Sequence, residues 1–213
     1  MRSAPPEGAG ALVRAIRLTR MGTASKVETR TLVLLLGINA VMFVVELAAG
    51  WVAQSAGLIA DSLDMLADAG VYTVALLAVG STTRRKTHAA AVSGVIQLAL
   101  AVGIVFEIAR RAVSGSEPMS LVMILISALA LVANAACVVL LRKHRHGEIH
   151  MRASWIFSTT DVQVNVGVMV AGLLVMVTGS AWPDLFIGAA VCALVVRGGV
   201  RILKQAKASY AEE

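Results

Sequence analysis

Gly57-Leu-Ile-Ala-Asp-Ser-Leu-Asp-Met-Leu-Ala-Asp-Ala-Gly70 sets three acids, Asp61, Asp64 and Asp68, inside a stretch that otherwise reads as a membrane-spanning helix. At about 100° per residue, Asp64 and Asp68 fall one turn apart on one face, and Asp61 lies within roughly 60° of Asp64. A carboxylate at bilayer depth costs several kcal/mol unless it is neutralised or paired. Stacked carboxylates repel each other and raise that cost. A divalent cation offsets it, and protons do so when the cation is absent.

The rest of the chain supports a membrane reading. Its 213 residues are 58% hydrophobic and 15% charged, and the mean hydropathy is +0.80. A soluble domain carries about a quarter charged residues, so this composition in water would expose large apolar patches. The net charge of +6 speaks to membrane orientation and not to nucleic acid, because aromatics make up only 4% of the chain and stacking platforms for bases are lacking. Cys137 and Cys192 both lie in apolar runs and read as small buried hydrophobes.

Hydropathy predicts an all-α integral membrane protein with six transmembrane helices. Their spans are Thr31–Ala53, Leu58–Gly80, Thr87–Ala109, Met119–Leu141, Ser154–Thr178 and Leu185–Leu203, each close to the ~20 residues that cross a bilayer. Residues 1–30 form a basic N-terminal segment with a disordered start and a short amphipathic helix over residues 11–20. No removable signal peptide is expected. Residues 31–203 are expected to form the transmembrane domain and 204–213 a short polar tail, with no soluble domain expected after it. With six spans, 17 of the 19 basic residues fall on one side, and only Arg110 and Arg111 fall opposite. The positive-inside rule then makes both termini cytoplasmic, in the inner membrane of a bacterial-type cell.

The second span offers Asp64 and Asp68; the fifth offers Asp161 and Asn165. Each pair is spaced i, i+4 and presents two oxygen ligands on one face. Facing each other, the four carry three negative charges and suit one divalent cation. No Lys or Arg lies in either span to pair with them. In the first span, Asn39 and Glu46 share a face; they support the ligands, line a water path or pack helices. Asp61 is a rim or proton-relay position. Glu107 stands three and four residues before Arg110 and Arg111, a spacing that predicts a local ion pair. His144, His146 and His150 occupy the basic loop before the fifth span, as metal-capturing imidazoles or as part of a solvated topological loop.

These residues resemble the cation diffusion facilitator family. The likeness runs through Glu46-x-x-x-Gly50, the whole motif from Ser55 to Asp68, Phe106-Glu-Ile-Ala-Arg-Arg111 before Glu117-Pro118, Met151-Arg-Ala before Asp161, Asn165-Val-Gly-Val and Pro183-Asp184. The resemblance implies a six-helix secondary transporter that exports a divalent cation, commonly zinc, cobalt or cadmium, in exchange for protons. It needs no cofactor beyond the transported ion. It also implies a tetrahedral site with ligand pairs on the second and fifth helices, here Asp64, Asp68 and Asp161. The chain departs in having Phe157 where the family has His or Asp one turn before that aspartate. Asn165 or water then supplies the fourth oxygen, and an all-oxygen site shifts preference toward manganese, iron or cobalt. The family's soluble C-terminal domain is not seen in the sequence, so a homodimer is expected to use membrane helices. Two other readings are a non-transporting helix-bundle partner and a metal-dependent phosphatidyltransferase-type enzyme. The latter's Asp-Gly is missing, and Ala60 stands where it has Gly.

Overall fold

The computed structural model describes residues 7–78, 83–142 and 149–211. These residues form helices α1 (Glu7–Val52), α2 (Ala56–Ala78), α3 (Thr83–Ser114), α4 (Ser120–Leu141), α5 (Ile149–Thr178) and α6 (Trp182–Ala211). Five helical stretches among them are long and apolar enough to cross a membrane. The remaining helix, α2, has 23 residues and holds the three aspartates.

The helices outrun the expected apolar spans. α1 is helical from Glu7, where a disordered start and a separate short helix were expected, and α6 continues through the expected polar tail to Ala211. Both extensions are rich in Ala, Leu, Lys, Arg and Glu and contain no proline, so the backbone bonds continue past the apolar layer. Hydropathy reports where a helix leaves lipid, not where its hydrogen bonds end. The link left between the third and fourth expected spans, residues 110–118, is shorter for the same reason: α3 runs to Ser114, and Gly115 breaks it at φ +80°.

α2 is the centre of the bundle and packs against α1, α3, α5 and α6. The other main pairings are α4 with α5 and α3 with α6. α4 turns one narrow stripe inward, Met123, Ser127, Ala130, Asn134, Cys137 and Leu141, whose alternating spacings of four and three are those of a helix buried on one side. Outward faces are apolar: Val113 is 89% exposed and Val177 is 81% exposed. Such surfaces have their natural solvent in lipid tails. Cys137 and Cys192 are free and buried.

α2 is anchored at its start by a residue 128 positions away. The Asp184 carboxylate, at the start of α6, accepts hydrogen bonds from the Ser55 hydroxyl at 2.6 Å, the Ala56 amide at 2.6 Å and the Gly57 amide at 2.9 Å. The Ser55 hydroxyl oxygen also accepts from the Leu58 amide at 3.1 Å. Amides that open a helix lack intrahelical acceptors, and an anion there meets the positive end of the helix dipole. The two helices touch closely, since a Cβ on Gly188 would lie 2.9 Å from the Ala56 carbonyl carbon. Asp184→Ala is expected to lower stability by about 3 kcal/mol, because buried donors lose a charged acceptor, with Asp184→Asn intermediate. Melting temperatures in detergent measure this, and equal values for all three proteins would show that the anchor is dispensable.

Candidate metal centre

α2 and α5 bring their acids together in antiparallel register. The Asp68 side chain on α2 and the Asp161 side chain on α5 lie against each other. Two carboxyl groups this close share a hydrogen bond when one of them carries a proton. The Tyr72 hydroxyl, one turn along α2, donates to Asp68 Oδ2 at 3.3 Å and lies 3.2 Å from Ser158 Oγ on α5. Tyr72, Asp68, Ser158 and Asp161 are all buried. Asp161 Oδ2 has no hydrogen-bond partner.

Asp64, Asp68 and Asp161 line one cavity of about 270 Å³. Its wall also carries Gln97 of α3, Thr160 of α5, and Arg197 and Arg201 of α6. Gln97 ties α3 to α6 by donating to the Val195 carbonyl at 2.9 Å. Among the described residues, no three His, Cys, Asp or Glu side chains converge closely enough to hold an ion. The three aspartates share a wall, and a smaller space between α2 and α5 is required to enclose a cation with all of them.

The remaining sequence candidates lie deeper. Asn165 is not on the cavity wall. Its amide nitrogen donates to Asp61 Oδ2 at 2.7 Å, and its amide oxygen accepts from Asn134 Nδ2 at 2.9 Å. Asp61, Asn165, Asn134 and Glu46 are all 0% exposed. Glu46 is near enough to Asp61 and Asp64 for their charges to interact. Asn39 is also buried and donates to the Leu35 carbonyl of its own helix at 2.9 Å. The structure therefore separates the candidates into a cavity layer, Asp64, Asp68 and Asp161, and an inner layer around Asp61 and Asn165.

Glu107 makes the expected ion pairs, at 2.7 Å to both Arg110 Nη2 and Arg111 Nε. The His144 and His146 loop, and the side chains of His150 and Phe157, lie outside the described residues. Sequence reasoning missed Gln97, Arg197, Arg201 and Asn134. Gln97 and Asn134 were visible as lone amides within apolar spans; the two arginines had been counted only as topological charge.

The family description "Cation efflux transmembrane domain" matches residues 32–209. The chain is 29% identical over 191 residues to the zinc transporter ZitB of Yersinia pseudotuberculosis, covering 84% of this chain and 61% of that protein. It is 24% identical over 175 residues to a cadmium, cobalt and zinc/H(+)-K(+) antiporter of Bacillus velezensis, covering 76% of this chain and 56% of the relative. It is 24% identical over 167 residues to the metal cation efflux system protein CzcD of Cupriavidus metallidurans, covering 73% and 53%. The chain thus spans less than two thirds of the length of each of these relatives.

The cavity wall generates a labelling prediction. In Ala67→Cys protein, a water-soluble maleimide is expected to modify the new thiol, while the buried Cys137 and Cys192 stay unmodified. Mass spectrometry of the labelled peptides reads the result, and protection of residue 67 would mean that water does not reach the aspartates.

Proposed function

The chain belongs to the cation efflux family, and from that membership and the three aspartates on one cavity wall we propose that it is a secondary transporter exporting a divalent transition-metal cation from the cytoplasm in exchange for protons. The observation that carries this reading is the Asp68–Asp161 pair beside Asp64. Paired carboxyl groups in an apolar interior hold a proton when no cation is present, and a cation that binds them displaces it, so metal arrival and proton departure are one exchange. The cargo belongs to the zinc, cobalt and cadmium class of the relatives, and the absence of a nitrogen donor among the proposed ligands weakens the preference for zinc and extends the class to manganese or iron.

In this reading the chain crosses the membrane six times, α2 included, with both termini and 17 of the 19 basic residues in the cytoplasm. Residues 1–30 and 204–213 are cytoplasmic extensions of the transmembrane domain. The cavity then opens toward the cytoplasm, since Arg197 and Arg201 lie on that side of α6. Asp64, Asp68 and Asp161 take up the cation as protons leave. Rearrangement of α2 and α5 closes the cavity and opens the other side, where protons displace the cation. The inward proton gradient drives the cycle.

Asp68→Ala and Asp161→Ala are each expected to abolish proton release on metal addition in proteoliposomes, a loss of at least about 100-fold if one charged ligand contributes about 3 kcal/mol. Retained flux in either variant refutes the site. Phe157→His is expected to move metal preference toward zinc, because imidazole suits that ion better than carboxylate alone. A competition series among zinc, cobalt and manganese checks it, and an unchanged ranking removes residue 157 from the site.

A further inference from the structure

We propose that Glu46, Asp61, Asn134 and Asn165 form a second station for the transported cation, an all-oxygen site enclosed by α1, α2, α4 and α5. This rests on the transport reading above and deepens it. All four residues are 0% exposed, and they come from four different helices. Their hydrogen bonds run in one direction: Asn134 donates to Asn165, and Asn165 donates to Asp61. The donors are used within the chain, and acceptors are left over. Glu46 Oε1 and Oε2, Asp61 Oδ1 and Asn134 Oδ1 are buried without a hydrogen-bond partner. The charged groups that bear on Glu46 are Asp61 and Asp64, both acidic. The ion pairs found among the described residues involve only Glu107, Arg110 and Arg111, so no basic side chain pairs with these acids there.

Buried polar atoms are ordinarily satisfied, and groups left without partners need a reason. Here the excess consists of acceptor oxygens from two carboxylates and an amide. That set has the wrong polarity for an anion or an apolar ligand and the right one for a hard divalent cation. Its position fits a path. Asp68 meets Asp161 at the cavity layer, and Asp61 meets Asn165 seven residues earlier on α2, about 10 Å along the helix at 1.5 Å per residue. Asp64 lies between the layers on α2. An ion leaving the cavity away from its mouth therefore meets oxygen donors at the next layer and is not stranded among apolar side chains.

The test counts manganese ions bound per chain by equilibrium dialysis of purified protein, with efflux from vesicles measured in parallel. Wild type is expected to bind two ions. Glu46→Gln is expected to bind one, with the remaining affinity within about twofold of the cavity site, and to lose efflux at least 50-fold. Asn134→Ala keeps both carboxylates and the fold, and is expected to weaken the second ion about tenfold. Two ions in Glu46→Gln, or one ion in both wild type and Glu46→Gln, overturns the second station and leaves the cavity site standing. No ion bound by wild type overturns the transport reading and this proposal with it. A Glu46→Gln protein that fails to fold leaves the Asn134→Ala titration to decide, and two equal, undiminished sites there overturn the proposal.

Discussion

Negative charge without a basic partner, held in an apolar interior, is the constraint from which the rest of this structure follows. Asp61, Asp64 and Asp68 sit on one helix, and Asp161 and Glu46 come toward them from two others. An acid facing lipid would have neither solvent nor partner, so α2 has to be the helix that the others surround. It is the element with neighbours on nearly every side. The contrast with Glu107 is instructive. That acid stands near the end of α3, about one-fifth exposed, and takes two arginines of its own helix as partners. Asp68 and Asp61 in the interior have a hydroxyl and an amide as donors in place of cations.

The same constraint explains what holds α2 in place. A helix whose middle is polar cannot be fixed in the bundle by apolar burial alone. Its first turn is held by the Asp184 carboxylate from α6, and it meets α5 through side-chain hydrogen bonds at two levels, Asp61 with Asn165 and Tyr72 with Ser158. Contacts at two levels resist rotation of α2 about its axis, which would turn an aspartate toward lipid. The antiparallel register of α2 and α5 also divides the polar interior into two layers. Arg197 and Arg201 on α6 share the cavity wall with the aspartates and moderate the field there when the acids are unprotonated. Being exposed, they do this weakly, and under the proposed function a divalent ion would outcompete them for direct contact with the carboxylates.

Much of this was legible in the chain itself. The acids of α2 stood out because aspartate in an apolar run is anomalous, and the i, i+4 spacing with Asp161 pointed to a shared space. Glu107 and its arginines obeyed a spacing rule within one helix. What stayed hidden depended on contacts between helices. Asn165 repeats the spacing of Asp161 and looked like a cavity residue, yet one turn of α5 carries it from the level of Asp68 to that of Asp61. Nothing in the periodicity of α5 reveals the register of α2 against it. Asp184 fell in the link between the fifth and sixth expected spans, and its role depends on a helix start 128 residues earlier. Helix ends were missed because propensity carries α1, α3 and α6 beyond their apolar stretches.

The donor set bears on how such a chain moves an ion and not merely on how it holds one. Imidazole and thiolate bind borderline ions tightly, and tight binding slows release. Carboxylate and amide oxygens bind the same ions less strongly and exchange them readily for protons or water. Conduction through a membrane requires sites favourable enough to enter and weak enough to leave. Two oxygen layers in succession meet that requirement better than one deep nitrogen-bearing site, because each step along the path replaces donors of similar strength. The wide cavity, in which three aspartates share a wall, fits the same logic: in the proposed cycle the full ligand set would assemble only as α2 and α5 closed on the cation, so the energy of binding would be available to drive that closure.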